Sequence, residues 1–252
     1  MKNWVPILAT FCVVSCTSSG PPPTSKSGTG LTSPTTPAVP SAPGATVAGN
    51  GSAPTVVSKS SQGFRWAGTV AAGKKVWLRN LNGSIEVEGS AGNRVEVTAK
   101  VRGSGSGSQP TIKVVPHDGT ITVCVLWPST SSKCGPRGAY SHGHVSGSHA
   151  SVELRVKLPK GILLDLSTVN GGLVARNIQA AIKARSVNGS LAIDSLGPAD
   201  LKSVNGRIKV TVKRGPLTAA TVNGSIHARV PKQLDRSQMK LRTVNGAVSV
   251  VN

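Results

Sequence analysis

The tripeptide Val-Asn-Gly recurs five times in the last third of the chain, starting at Val169, Val187, Val204, Val222 and Val244. A variant copy, Leu81-Asn82-Gly83, stands far upstream. The asparagines Asn170, Asn188, Asn205, Asn223 and Asn245 are separated by 18, 17, 18 and 22 residues. A near-constant period of this length is the mark of a solenoid, in which each repeat buries its apolar face only against its neighbours.

Alignment on Asn shows what recurs. Three residues later come Leu173, Leu191, Ile208, Ile226 and Val248, with Ile85 in the early copy. Four residues earlier come Leu166, Ala184, Leu201, Ala219 and Leu241, with Leu78. Thr168, Ser186, Ser203, Thr221 and Thr243, two before Asn, are small enough for an inward corner. Polar residues fill most of the gaps, and this period-two alternation reads as strand, turn, strand. Asn-Gly between alternating runs also signals a type I′ hairpin, so an antiparallel meander is the competing reading. Stacked corners favour the solenoid: each Asn can bond the next in a ladder, and Gly accepts the positive φ of the bend. No 3.6-residue apolar stripe occurs, so the expected class is all-β: a parallel, β-helix-like solenoid of 17–22-residue coils.

The amino terminus sets the address. Met1-Lys2-Asn3 is a short basic start, Trp4 to Val14 is apolar, and Val13-Val14-Ser15-Cys16 resembles the lipobox of bacterial lipoproteins. Residues 1–15 therefore read as a lipoprotein signal peptide. Cleavage before Cys16 would leave its sulfur to carry lipid, with the membrane as first partner. An ordinary signal peptide, with Cys16 incidental, is the other reading. Thr17 rather than Asp after Cys16 favours the outer membrane or cell surface over the inner membrane. Residues 16–61, dominated by Pro, Ser, Thr, Gly and Ala, have too few large apolar groups to offset ordering and read as a disordered tether.

The folded part is then 62–252, with an irregular portion 62–160 and regular coils over 161–252. A Gly- and Ser-rich insertion occupies 127–150. Cys124 and Cys134 flank a Pro/Ser/Thr loop, and an exported compartment would join them in a disulfide. A metal pair is the alternative, although structural zinc usually shows closer Cys pairs.

Together these residues carry a resemblance. The lipobox, the low-complexity tether, the Cys pair before a Gly/Ser-rich loop, the strand ending in Leu158-Pro159-Lys160-Gly161 and the serial Thr/Ser-Val-Asn-Gly coils resemble the bacterial putative-adhesin family of β-repeat domains of unknown function. The resemblance covers about residues 75–252. It implies a β-solenoid on a cell-envelope protein with no established enzyme activity. Members often carry acids after Asn-Gly; here Gly172, Ser190, Arg207, Ser225 and Ala247 stand there.

Charge points to partners. The formal net charge of +20 becomes +17 once Lys2, Lys26 and Lys59 are set aside. Arg79, Arg185, Lys202 and Arg242, three before Asn, form an outward row interrupted by Ser167 and Ala220, and Arg207 and Lys209 add a neighbouring row. Such a field attracts anionic polysaccharide, lipopolysaccharide or, without sequence preference, extracellular DNA. The competing reading is a solvated surface that keeps the domain soluble. Few aromatics are present for base stacking, so sequence-specific nucleic-acid binding is not expected.

An enzyme is not expected either, and no cofactor is implied. Polysaccharide-cleaving β-helices need converging carboxylates. Here Asp165 and Asp200 lie two coils apart. His142, His144 and His149, in the Gly/Ser-rich insertion, are weak metal-ligand candidates. The expected role is a lipid-anchored, adhesin-like envelope module that binds an anionic polymer. The alternatives are a structural or envelope-stress lipoprotein with no ligand and, further off, a polysaccharide-active enzyme.

Overall fold

Two β-sheets share the repeats between them, and the chain changes sheet at every Asn-Gly. The computed structural model describes residues 47–49, 56–58, 63–103, 109–127, 133–135, 138–140 and 150–252, all within one compact unit. Its strands are β1 (Val47–Gly49), β2 (Val56–Ser58), β3 (Phe64–Thr69), β4 (Lys75–Arg79), β5 (Ile85–Ser90), β6 (Arg94–Arg102), β7 (Thr111–His117), β8 (Thr120–Leu126), β9 (Lys133–Gly135), β10 (Gly138–Tyr140) and β11 (Ser151–Pro159). The repeats supply β12 (Leu163–Asn170), β13 (Leu173–Ile178), β14 (Ile182–Asn188), β15 (Leu191–Ser195), β16 (Ala199–Asn205), β17 (Ile208–Val212), β18 (Leu217–Asn223), β19 (Ile226–Arg229), β20 (Met239–Asn245) and β21 (Val248–Val251). The only helical turn among the described residues is 3-10, Arg236–Gln238, and the molecule is all-β.

The first sheet runs β1-β3-β6-β11-β5-β13-β15-β17-β19-β21 and the second β2-β7-β8-β4-β12-β14-β16-β18-β20. Within the repeats every pairing is parallel and joins alternate strands: β14 with β16, β15 with β17, and onward to β20 and β21. The strands flanking each Val-Asn-Gly thus lie in different sheets, which excludes the hairpin reading. The β3–β6, β6–β11 and β7–β8 pairs are antiparallel, so both sheets are mixed.

Register places like on like. Leu166, Ala184, Leu201 and Ala219 are successive partners in one sheet; Leu173, Leu191, Ile208 and Ile226 are successive partners in the other. All eight are essentially inaccessible and belong to one apolar cluster that spans both sheets. Each large aliphatic buried in this way contributes roughly 1.5–3 kcal/mol. The last repeat differs. Val248 and Val250 keep the inward register of Ile226 and Ala228 but are 43% and 44% exposed, because no further strand covers them.

Three features of the structure refine the sequence reading. The early Leu81-Asn82-Gly83 copy is no outlier: β4 and β5 pair in parallel with β12 and β13, so the regular stack begins near residue 75. The Gly/Ser-rich insertion carries a short antiparallel hairpin, β9–β10. The stretch 16–61 is not wholly free of the fold, since β1 pairs with β3 and β2 with β7. Main-chain bonds make such edge pairings, and composition does not reveal them. The remaining residues of 16–61 lie outside the described residues, as do Cys16, His142, His144 and His149.

Candidate functional site: the corner and two basic faces

The corner fixes how faithfully neighbouring repeats align, and with it every outward row. Asn170 donates through Nδ2 to Asn82 Oδ1 at 2.9 Å. Asn188 donates to Asn170 and Asn205 to Asn188, both at 2.9 Å; Asn223 donates to Asn205 and Asn245 to Asn223, both at 2.7 Å. A second ladder lies just inside. The hydroxyls of Thr168, Ser186, Ser203, Thr221 and Thr243 donate to the carbonyls of Gly83, Gly171, Gly189, Gly206 and Gly224, one repeat earlier. Size alone suggests Thr or Ser here from sequence; the hydrogen bond is the fuller reason.

Glycine has a second reason beside the positive φ expected. Gly171, Gly189 and Gly206 do not adopt positive φ. A Cβ on any of them would instead sit 1.9–2.1 Å from the carbonyl oxygen of the preceding repeat's glycine. At these three corners close backbone approach excludes a side chain, whereas Gly83, Gly224 and Gly246 have φ of 115°, 157° and 157°, as the bend requires.

On the outer face of the second sheet, register lines up Arg79, Ser167, Arg185, Lys202, Ala220 and Arg242. The row exists, but its members are not equivalent. Arg79 is committed to Asp165: its Nη1 lies 2.9 Å from Oδ1 and also donates to the Asp165 carbonyl, with both side chains largely buried. Arg185 lies 3.9 Å from Asp200. The two aspartates occupy one row with Lys183 between them and do not converge. Lys202 and Arg242 are exposed and form no ion pair among the described residues, which leaves them as the open cations of this row. Beside it runs a feature the sequence reading missed: Val187, Val204, Val222 and Val244, each directly before Asn, are exposed.

Arg207 and Lys209 are not neighbours of that row. Lys209 lies on the outer face of the first sheet, in line with His227 and Ser249; Thr211, Arg229 and Val251 form the adjoining row. Arg207 follows the Asn205-Gly206 corner and donates through Nε to Ser225 Oγ at 3.2 Å. Arg207, Lys209, Thr211, His227, Arg229, Ser249 and Val251, together with Val210 and Ala228, line a groove of about 340 Å³. Arg207, Lys209 and Arg229 form no ion pair with any described acid. His227 and Arg229 carry no motif, and only the register reveals them beside Lys209.

Most acids gather elsewhere, although Asp194 stands in the row of Thr211 and Arg229. On the first sheet Glu86 pairs with Arg155 and Arg176, Glu96 with Lys157, and Glu153 with Arg102. Residues 201–252 hold ten Lys and Arg against one acid, Asp235, a net +9. Asp235 caps the 3-10 turn, and the Ser237 backbone N–H it accepts holds its carboxyl below the usual range. Cys124 and Cys134 form a disulfide with Cα atoms 5.9 Å apart. Among the described residues no cluster of three His, Cys, Asp or Glu side chains is placed to hold a metal. No helix among them is long and apolar enough to cross a membrane.

No family model and no curated protein matches the chain. Solved structures similar to it include a putative cell adhesion protein from Clostridium sporogenes ATCC 15579, at 12% identity over 75% of this chain and 98% of that one, with a TM-score of 0.28. A putative adhesin from Bacteroides fragilis NCTC 9343 shares 11% identity over 80% and 99%, with a TM-score of 0.30. One from Parabacteroides merdae ATCC 43184 shares 10% over 81% and 99%, with a TM-score of 0.21. Superpositions this loose carry no conclusion about fold or role.

Proposed function

We propose that the chain is a lipid-anchored, adhesin-like module of the bacterial cell envelope. In this reading the repeats are coils of a two-sheeted β-solenoid, and the basic outer faces of its last coils hold an anionic polymer. The unbroken parallel register and the Asn ladder support the solenoid. The lipid anchor rests on the residues around Cys16. The binding role rests on one observation: charge is segregated along the stack. Ion pairs engage Arg102, Arg155, Lys157 and Arg176 near β5, β6 and β11, whereas Lys202, Lys209, Arg229 and Arg242 toward the other end are exposed and form no ion pair with a described acid. A field focused in this way concentrates polyanions locally instead of merely solubilising the fold.

Retention on immobilised polygalacturonate and on duplex DNA tests the proposal. Reversal of Lys202, Lys209, Arg229 and Arg242 to Glu lowers the salt needed for elution. On DNA it flattens the plot of log affinity against log salt by about 0.9 for each phosphate contact removed. The same number of reversals at Arg65, Lys74, Arg94 and Lys100 alters net charge equally and has the smaller effect. If both variants elute alike, location is irrelevant and the proposed face is wrong.

A further inference from the structure

Asn-Gly occupies six equivalent corners of the stack, and the last of them differs chemically from the rest. The Gly83 N–H donates to the Asn170 main-chain carbonyl at 2.8 Å, and that of Gly171 to Asn188 at 3.0 Å. Gly189 donates in the same way to Asn205 at 3.1 Å, Gly206 to Asn223 at 3.0 Å and Gly224 to Asn245 at 2.9 Å. Each coil thus ties down the glycine nitrogen of the coil before it. Gly246 has no such partner. No described strand lies beyond β20 and β21, and its N–H meets no acceptor among the described residues. It is also the one exposed glycine of the six. The asparagine beside it is only half held. Asn170, Asn188, Asn205 and Asn223 each donate to one ladder neighbour and accept from another. Asn245 donates to Asn223, but its Oδ1 accepts nothing from a described residue.

We infer that Asn245-Gly246 is a site of spontaneous modification, at which the folded protein converts an asparagine into aspartate and isoaspartate. A backbone nitrogen attacks the preceding side-chain amide when both are free to approach, and glycine, lacking Cβ, obstructs that approach least. The Gly246 nitrogen forms a bond to Asn245 Cγ, and the Cγ–Nδ2 bond breaks. The proton displaced from Gly246 leaves with the side-chain nitrogen as ammonia, and a cyclic imide remains. Water then opens the ring. Cleavage at Cγ gives aspartate, and cleavage at the main-chain carbonyl carbon gives isoaspartate. Water is consumed, ammonia is released, and nothing is oxidised or reduced. At the other five corners the glycine nitrogen must first break its bond to the next coil. The product removes the Asn245 donor to Asn223, so the outermost rung of the ladder is lost. It also places a carboxylate within residues 201–252, where Asp235 is otherwise the one acid.

The full chain tests this without substitution. It is held folded in mildly alkaline buffer, beside the same chain unfolded in guanidinium chloride. Mass spectrometry of proteolytic peptides reads each Asn separately, and enzymatic methylation reports isoaspartate. Peptide mapping also keeps apart Asn50-Gly51, which lies outside the described residues. In the folded chain, product at Asn245 accumulates faster than at the other five corners by about tenfold or more, the scale of one hydrogen bond that must first open. In the unfolded chain all six react at comparable rates. Asn82 is the sharpest comparison, because it too makes a single ladder bond while its Gly83 N–H is held. Amide hydrogen exchange is the second measurement: the Gly246 N–H exchanges freely, and those of Gly83 and Gly224 exchange slowly. Equal rates at Asn82 and Asn245 in the folded chain overturn the inference. So does an Asn245 that stays intact while the unfolded chain reacts, or a Gly224 N–H that exchanges as fast as that of Gly246.

Discussion

Glycine 206 shows how much one missing carbon decides. A Cβ there would meet Gly189 O at 2.1 Å, Gly189 C at 2.6 Å and Ser203 Oγ at 2.9 Å. Two of these are backbone atoms that cannot rotate away, so the neighbouring repeats would have to part. Gly206→Ala is expected to cost about 1–3 kcal/mol, as overpacking of a tight interior does. Gly172→Ala is the internal comparison. It lies one residue past a corner, its nearest obstacle is Ser190 O at 3.5 Å, and the substitution should be nearly neutral. Chemical unfolding of the two variants measures the difference. The sequence revealed that glycine matters after each Asn and suggested a bend as the cause, which holds at Gly83, Gly224 and Gly246 but not at Gly206. Which atoms approach from the next repeat is a three-dimensional fact that no single repeat encodes.

At the scale of the element, two parallel ladders hold each corner, and they differ in burial. The Asn ladder is exposed, whereas the hydroxyl ladder is buried: Thr221 retains only 3% exposure. Thr221→Val keeps the shape and removes the donor to Gly206 O, so a half-buried carbonyl loses a partner at a cost of about 1–3 kcal/mol. Asn205→Ala breaks two ladder bonds in water and should cost less, about 1 kcal/mol. Thermal melts that rank the two variants in the opposite order would contradict this division of labour. Strand positions were largely legible. Alternation places strands at Lys75–Asn80 and Thr120–Leu126, and the structure has Lys75–Arg79 and Thr120–Leu126. The pairing of Asn82 with Asn170 was not legible, because the two stand 88 positions apart and local pattern carries no information on which distant strand closes a ladder. The split of the basic residues between two faces was hidden for a related reason. Arg207 and Lys209 follow the corner, so the chain has already changed sheets when it reaches them.

At the scale of the molecule, the repeats of near-constant length have a mechanical consequence. If the chain is pulled by its two ends, the load runs across the stacked strands rather than along them. The outermost strands, β20 and β21, have a neighbour on one side only and should detach first. Spacing between corner asparagines then becomes a ruler. The final repeat spans 22 residues and the ones before it 18, 17 and 18. At roughly 3.3–3.6 Å per extended residue, the first rip should release about 75 Å and each of the next three about 60 Å. Single-molecule force spectroscopy would record a sawtooth with one long tooth followed by even ones. A single cooperative rupture would show that the core resists as one body. A molecule that yields tooth by tooth dissipates work without losing its grip all at once, as a shock absorber does on a surface under shear.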